Sequence, residues 1–265
     1  MEPSRYEIVV DDGTVVSYLV FPGVGPAVVF LHGLAGSGRE FLPTATAFAG
    51  RKVILIDQRG HGHSTRVPAD TSRAAFVDDV VRVIEAESSE PIDLVGQSMG
   101  AHTAMLVASN RPNLVRKLVL LEGNEGSGSA EDNAAMGEYF RSWQTPFATL
   151  DAARSALGNS PLAQAWVADL EEREDGFYPR FDPDVMVETI NEVSVPRWLE
   201  WERVTAPTLV LYADGGMFTE EQKTRFVDRR SGISRVDLFG ASHDAHLDAH
   251  EQWIEALRKF IEFAN

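Results

Sequence analysis

Eight short runs rich in Val, Ile and Leu, most of them separated by longer segments of helical period, constrain this chain more than any other feature of it. The runs are Tyr6 to Val10, Val15 to Phe21, Ala27 to Leu31, Lys52 to Ile56, Ile92 to Val95, Lys117 to Leu121, Thr208 to Tyr212 and Arg235 to Phe239. Short apolar runs of this kind read as strands buried on both faces, and such strands belong to parallel sheets whose crossovers are helices. The helical segments are Gly38 to Ala49, Ser72 to Glu87, Met99 to Asn110, Glu220 to Arg229 and Asp248 to Phe263. In the last of these, Ile254, Leu257, Phe260 and Ile261 share one face, as a helix packed on a sheet requires. Asp11-Asp12-Gly13 is a turn signal between the first two runs, so the chain is expected to open with an antiparallel hairpin. The fold class expected is α/β: an eight-stranded, mostly parallel sheet with flanking helices.

The rhythm stops between Asn124 and Arg203, where helical and loop signals occur without a buried strand. We read 124–203 as a helical cap inserted into a core made of 1–123 and 204–265. The cap holds Trp143, Trp166, Trp198 and Trp201, four of the five tryptophans of the chain. Trp143, Trp166 and Trp198 are expected to line an apolar substrate pocket. The cap also carries 16 Asp and Glu against 6 Arg, which is −10 of the total −16. A pocket entrance so charged disfavours anionic substrates. The same balance, without a basic block, excludes nucleic acid as a partner. With no cysteine, there is neither a disulfide framework nor a thiolate site. No apolar stretch approaches the length of a membrane span and the N-terminus lacks the apolar run of a secretory signal, so a cytoplasmic protein is expected.

The stretch that carries chemistry is Ile92-Asp93-Leu94-Val95-Gly96-Gln97-Ser98-Met99-Gly100-Ala101, an apolar strand running through Gly-x-Ser-x-Gly into a helix. Where strand and helix converge this sharply, Gly96 and Gly100 supply positions without side chains to collide. Ser98 is then held out at the sheet edge over a helix N-terminus, whose free N–H groups favour developing negative charge. It is the candidate nucleophile.

Two further segments, Val28-Val29-Phe30-Leu31-His32-Gly33-Leu34-Ala35-Gly36 and Asp57-Gln58-Arg59-Gly60-His61-Gly62-His63-Ser64, join that stretch in a pattern that resembles the α/β-hydrolase superfamily. Phe239-Gly240-Ala241-Ser242-His243 is similar to the family's Gly-x-x-His ending. The resemblance implies an oxyanion hole made by the backbone N–H groups of Leu34 and Met99. It also implies a structural role for His32 and for the Asp57 to Ser64 loop, and His243 as the general base. For the acid it leaves two candidates. Asp214 stands in the loop after the seventh strand, but the positions where most members carry the acid hold Gly216 and Met217. Glu122, directly at the end of the sixth strand, occupies a place where some members use Glu, and its longer side chain reaches the imidazole from there. We favour Glu122, with Glu125 a weaker rival.

These residues imply a serine hydrolase of carboxylesterase or lactonase type, acting on a small to medium organic molecule through an acyl-enzyme. Carbon–carbon bond hydrolysis, perhydrolysis and thioester cleavage use the same residues, and a receptor-like member with little turnover is the rival from another class. Serine at the elbow excludes the dehalogenases and epoxide hydrolases of this fold, which need Asp there. No cofactor is implied. His243, His246 and His250 with Asp244 and Asp248 form a patch whose spacing matches no zinc signature, so no metal is implied either. The partner expected is a small-molecule substrate rather than nucleic acid or a membrane, and a homodimer is compatible with the sequence.

Overall fold

Each of the eight apolar runs forms a strand of one sheet in the computed structural model, which describes residues 2–263. Met1, Ala264 and Asn265, all within the expected core, lie outside the described residues. In chain order the strands are β1 (Ser4–Val9), β2 (Val15–Phe21), β3 (Val28–Leu31), β4 (Val53–Ile56), β5 (Ile92–Gln97), β6 (Val115–Leu121), β7 (Glu171–Arg173), β8 (Gly176–Tyr178), β9 (Thr208–Gly215) and β10 (Ile233–Ser242). Eight of them lie in the order β1-β2-β4-β3-β5-β6-β9-β10, while β7 and β8 form a separate hairpin. β2 is antiparallel to both β1 and β4, and every later pairing in the sheet is parallel.

The helices are α1 (Leu42–Thr46), α2 (Arg73–Glu87), α3 (Met99–Asn110), α4 (Ala130–Arg141), α5 (Leu150–Leu157), α6 (Pro161–Ala168), α7 (Pro183–Val193), α8 (Trp198–Arg203), α9 (Glu220–Asp228), α10 (Ala245–Asp248) and α11 (His250–Phe263). The helix expected from Gly38 begins as a 3-10 turn (Gly38–Phe41) before α1, with a proline in the first turn of α1. The C-terminal helix is preceded by the separate turn α10. None of the helices is long and apolar enough to cross a membrane.

Burial on both faces is visible residue by residue. Val29 and Leu31 join Leu94, Leu118, Leu120 and Val210 in the layer beneath α2 and α3, whereas Val28 and Phe30 join Val95, Val119 and Leu121 in the layer on the other side, with Phe41, Trp253 and Leu257. Alternation within four consecutive apolar residues is what a central strand dictates.

The Asp57 to Ser64 loop, expected to be structural, is tied on every side. Asp57 accepts from the backbone N–H groups of Gly38 at 2.8 Å and His63 at 3.0 Å and pairs with Arg5 at 3.0 Å. Arg59, fully buried, meets Asp79 at 2.6 Å and Asp12 at 2.8 Å. The β7–β8 hairpin in the segment between β6 and β9 was not anticipated, because its residues are only partly buried and form no apolar run; Asp175-Gly176 at its turn is the signal that marks it. Within the same segment, α8 packs on α3, and Trp201 stacks on Phe226 at 4.2 Å while its indole N–H donates to the Phe226 carbonyl at 2.9 Å. Trp201 is completely buried. Trp201→Ala is expected to cost about 3–5 kcal/mol, read as a lowered denaturant midpoint with an unchanged slope.

Candidate active site

The turn between β5 and α3 is as tight as the glycine spacing requires. A Cβ on Gly96 would collide with the backbone of Gly100, and one on Gly100 with the carbonyls of Leu31 and His32. Ser98, between them, has φ 52° and ψ −119°, a conformation that a non-glycine residue adopts only when its surroundings impose it. Ala35 and Glu122 are the other two non-glycine residues with positive φ among those described. Ser98 and Glu122 directly follow β5 and β6, and Ala35 lies in the loop after β3.

Gly33 carries the loop after β3 against this turn: a Cβ there would meet the Gln97 side chain and lie 3.4 Å from Ser98 Cβ. The Leu34 and Met99 side chains share one apolar cluster with Phe76 and Val193. Among the described residues neither the Leu34 nor the Met99 N–H donates to another backbone group. Both N–H groups are thus left without a backbone acceptor, the state in which a donor can serve an anion. His32 takes no part. Its Nδ1 lies 2.7 Å from the Gly33 carbonyl and its Nε2 accepts from the Gln58 N–H at 3.0 Å, while complete burial pushes its pKa down. It is a neutral imidazole that fixes its loop.

His243 follows a register shift in β10 between Leu238 and Ser242. Its Nδ1 lies 3.1 Å from Glu122 Oε2, and its side chain is 23% exposed where that of Glu122 is wholly buried. The Glu122 carboxylate also accepts from the backbone N–H groups of Ala213 at 2.8 Å and Met217 at 2.9 Å. Gly216 covers it so closely that any Cβ would strike both carboxylate oxygens. Asp214 does not approach the imidazole. Lying at the end of β9 rather than in the loop after it, it accepts from the N–H groups of Gly240 at 3.0 Å and Ala241 at 3.1 Å, which hold its pKa down, and it fastens β9 to β10, the strand that ends just before His243. Glu125 faces Arg225 at 3.2 Å.

A contact that sequence reading missed joins His243 to the turn that holds Ser98. Gln97, buried next to Ser98, donates through Nε2 to the His243 carbonyl at 3.1 Å. Among the described residues the Ser98 hydroxyl itself makes no hydrogen bond, to His243 or elsewhere. Such bonds are commonly loose without substrate and tighten when it binds. His246 and His250 have their own partners, Glu40 at 3.3 Å and the His246 carbonyl at 3.1 Å. Among the described residues no group of three or more metal-binding side chains is placed to hold an ion.

Trp143 and Trp166 stand together, their rings 5.1 Å apart, against Phe140 and Phe181. They line a small cavity with Ala35, Gly36, Ser37 and Asp169, next to the Leu34 loop. The expectation for Trp198 is corrected: its ring lies over Arg225 and Arg229 and near Phe226, on the flank of the sheet, because α8 packs on the core rather than on the other cap helices.

Comparison with known proteins follows the same lines. The sequence profile described as alpha/beta hydrolase fold matches residues 26–250. An sn-1-specific diacylglycerol lipase, ABHD11, of Mus musculus is 28% identical over 251 residues, 89% of this chain and 81% of the relative. The 2-(acetamidomethylene)succinate hydrolase of Mesorhizobium japonicum is 24% identical over 273 residues, 96% of this chain and 94% of its own. A crystal structure of E-2-(acetamidomethylene)succinate hydrolase superposes with a TM-score of 0.89 at 20% identity, covering 98% of this chain and 99% of that one. The thioesterase domain of the curacin biosynthetic pathway does so at 0.77 and 22%, covering 97% and 99%.

Two outcomes follow from this geometry. Gly216→Ala is expected to displace the Glu122 carboxylate and lower turnover by about tenfold or more with the fold retained, checked by circular dichroism beside steady-state kinetics. Asp169 is pushed up to about 7, first by burial and then by the charge of Asp57. The folded chain therefore binds this proton more tightly than the unfolded one, and stability falls as pH rises from the ordinary carboxylate range through about 7. Asp169→Asn removes that loss, so the melting temperature of the variant relative to the parent is expected to be higher at pH ~8 than at pH ~5; an equal difference at both pH values would show that the carboxyl does not titrate there.

Proposed function

The chain belongs to the alpha/beta hydrolase fold family, and from that premise we propose that it is a serine hydrolase cleaving an ester-like bond, carboxylester or lactone, in a small to medium organic substrate. The observation that carries this reading is the 3.1 Å pair between His243 and a buried Glu122, anchored by Gln97 to the turn that holds Ser98 out in a strained conformation. Hydrolase names among the relatives, the diacylglycerol lipase and the succinate hydrolase, support acyl-bond cleavage without fixing the substrate.

In this reading Glu122 accepts the Nδ1–H of His243, which leaves Nε2 as the basic nitrogen. As Ser98 Oγ attacks the substrate carbonyl carbon, Nε2 takes the hydroxyl proton and the carbonyl oxygen becomes an oxyanion before the Leu34 and Met99 N–H groups. Collapse breaks the bond to the leaving alcohol, which receives that proton and leaves an acyl-Ser98. Water then attacks the acyl carbon, gives its proton to Nε2, and the acid departs as the proton returns to Ser98. Trp143 and Trp166 form an aromatic wall suited to an uncharged organic group beside the Leu34 loop.

A fluorophosphonate probe is expected to label the protein rapidly and Ser98→Ala not at all; a folded chain that stays unlabelled would instead make it a receptor-like binder. Glu122→Gln is expected to slow acylation by about a thousandfold to ten-thousandfold, and Asp214→Asn by less than about tenfold, since Asp214 only fastens a loop. The reverse ranking would transfer the acid role to Asp214. Rates on matched p-nitrophenyl esters, lactones and thioesters separate the subclasses.

A further inference from the structure

Two arginines of this chain are buried to the same degree and served in opposite ways. Arg59 and Arg73 are each 2% exposed. Arg59 has Asp79 at Nε and Nη2 and both Asp12 and the Asp70 carbonyl at Nη1. Among the described residues Arg73 has one hydrogen bond, from Nη2 to Thr103 Oγ1, and its Nε and Nη1 have no partner. The guanidinium lies over the Phe76 ring, 4.4 Å from the centroid. Burial pushes its pKa down to about 9; the charge of Glu192 opposes this and that of Arg197 adds to it. An interior cation with two unpaired donor nitrogens is an expensive arrangement that native interiors rarely hold without a ligand or a counter-charge.

Arg73 also lines a cleft of about 220 Å³ between α2, α3, α7 and α8. Ser72, Arg73 and Ala74, the N-cap and first turn of the 15-residue α2, form one side of it. Arg197, Glu192 and Glu200 form the other. Glu200 is engaged by Arg197 Nη1 at 3.8 Å, and Arg197 Nε is a further buried nitrogen without a partner. Residues at the start of α2, one guanidinium without a carboxylate and a second with a spare donor thus line one opening, and because Ser72 Oγ takes the Ala75 N–H at 3.3 Å, the first-turn N–H groups left over are those of Arg73 and Ala74.

We propose that this cleft is a binding site for a small oxyanion, a carboxylate or phosphate, held by Arg73, Arg197 and the N–H groups of Arg73 and Ala74 at the start of α2. The planar guanidinium fork presents adjacent donors to such an anion, and the helix terminus adds favourable partial charge. Glu192 and Glu200 leave the cleft close to neutral, so the site selects by contact rather than by long-range attraction. The Arg73 guanidinium is itself linked to the Met99 turn: Thr103 Oγ1, its acceptor, lies 2.9 Å from Gln58 Oε1 and 3.1 Å from the Met99 carbonyl, and Phe76 beneath the guanidinium packs with Met99.

Isothermal titration of the intact chain with inorganic phosphate and with succinate, at constant ionic strength, tests the site without any assumption about turnover. Saturable binding of one anion per chain is expected, unchanged in Ser98→Ala, weakened about tenfold or more in Arg73→Gln and weakened by a smaller factor in Arg197→Gln. Should Arg73→Gln not fold, Arg73→Lys, which keeps the charge and loses the fork, and Arg197→Gln carry the comparison. Competition between the bound anion and an ester substrate assigns the site to an acidic group of substrate or product, and binding without competition assigns it to a free anion. Absence of saturable binding at millimolar anion, or binding indifferent to the substitutions at both arginines, overturns the proposal.

Discussion

The close approach of β5 and α3 governs the rest of this site. Because Gly96 and Gly100 let the strand and helix backbones come nearer than any side chain would permit, the turn between them has room for only one geometry, and Ser98 is forced to φ 52°. The cost of that conformation is met by the buried parallel strands on both sides, with the Ser98 N–H donating to the Leu121 carbonyl at 2.9 Å and α3 closing on the Ser98 carbonyl through His102 at 3.1 Å. Glu122, with φ 49°, is likewise the point at which the chain leaves the C-terminal end of a central strand, β6.

A carboxylate directly after β6, paired with His243, changes what the end of β9 and its loop have to do. In a site whose acid comes from that loop, the loop presents a side chain; here it presents backbone. Ala213 and Met217 donate N–H groups to Glu122, and Gly216 is bare because the carboxylate occupies the space above it. Asp214, freed from the imidazole, ties the loop to the start of the His243 turn. Gly216 and Met217, which looked like a departure from the family pattern, thus carry the imprint of a glutamate reaching in from the end of the neighbouring strand.

What was legible in the sequence was what rests on local pattern. Strand positions followed from apolar runs, and the elbow followed from glycine spacing, because backbone collision is a local matter. The candidates for the oxyanion hole and the base came through the resemblance, not through local pattern. The choice between Glu122 and Asp214 was not legible from either residue alone, since it depends on which of two carboxylates finds room under a loop more than ninety positions away in sequence. The same holds for Gln97, whose partner is the His243 carbonyl, and for Trp198, whose surroundings are set by the docking of α8 on α3. Aromatic composition could place tryptophans in the inserted segment but not say which would turn toward the sheet.

Charge is the property that composition describes least well here. The segment 124–203 is strongly acidic, which argues against an anionic ligand at its surface, yet Arg73 lies beneath that segment with two donors unpaired. These act over different distances. Solvent-exposed carboxylates are screened within about 8–10 Å at ordinary salt, so they bias the approach of a ligand and little else. A desolvated guanidinium interacts at contact, where a hydrogen-bonded charge is worth about 1.5–3 kcal/mol and an unpaired one costs a comparable amount. For a group that reaches the interior, the buried arginine therefore outweighs the acidic surface, and net charge by itself is a poor guide to the ligands of a chain built this way.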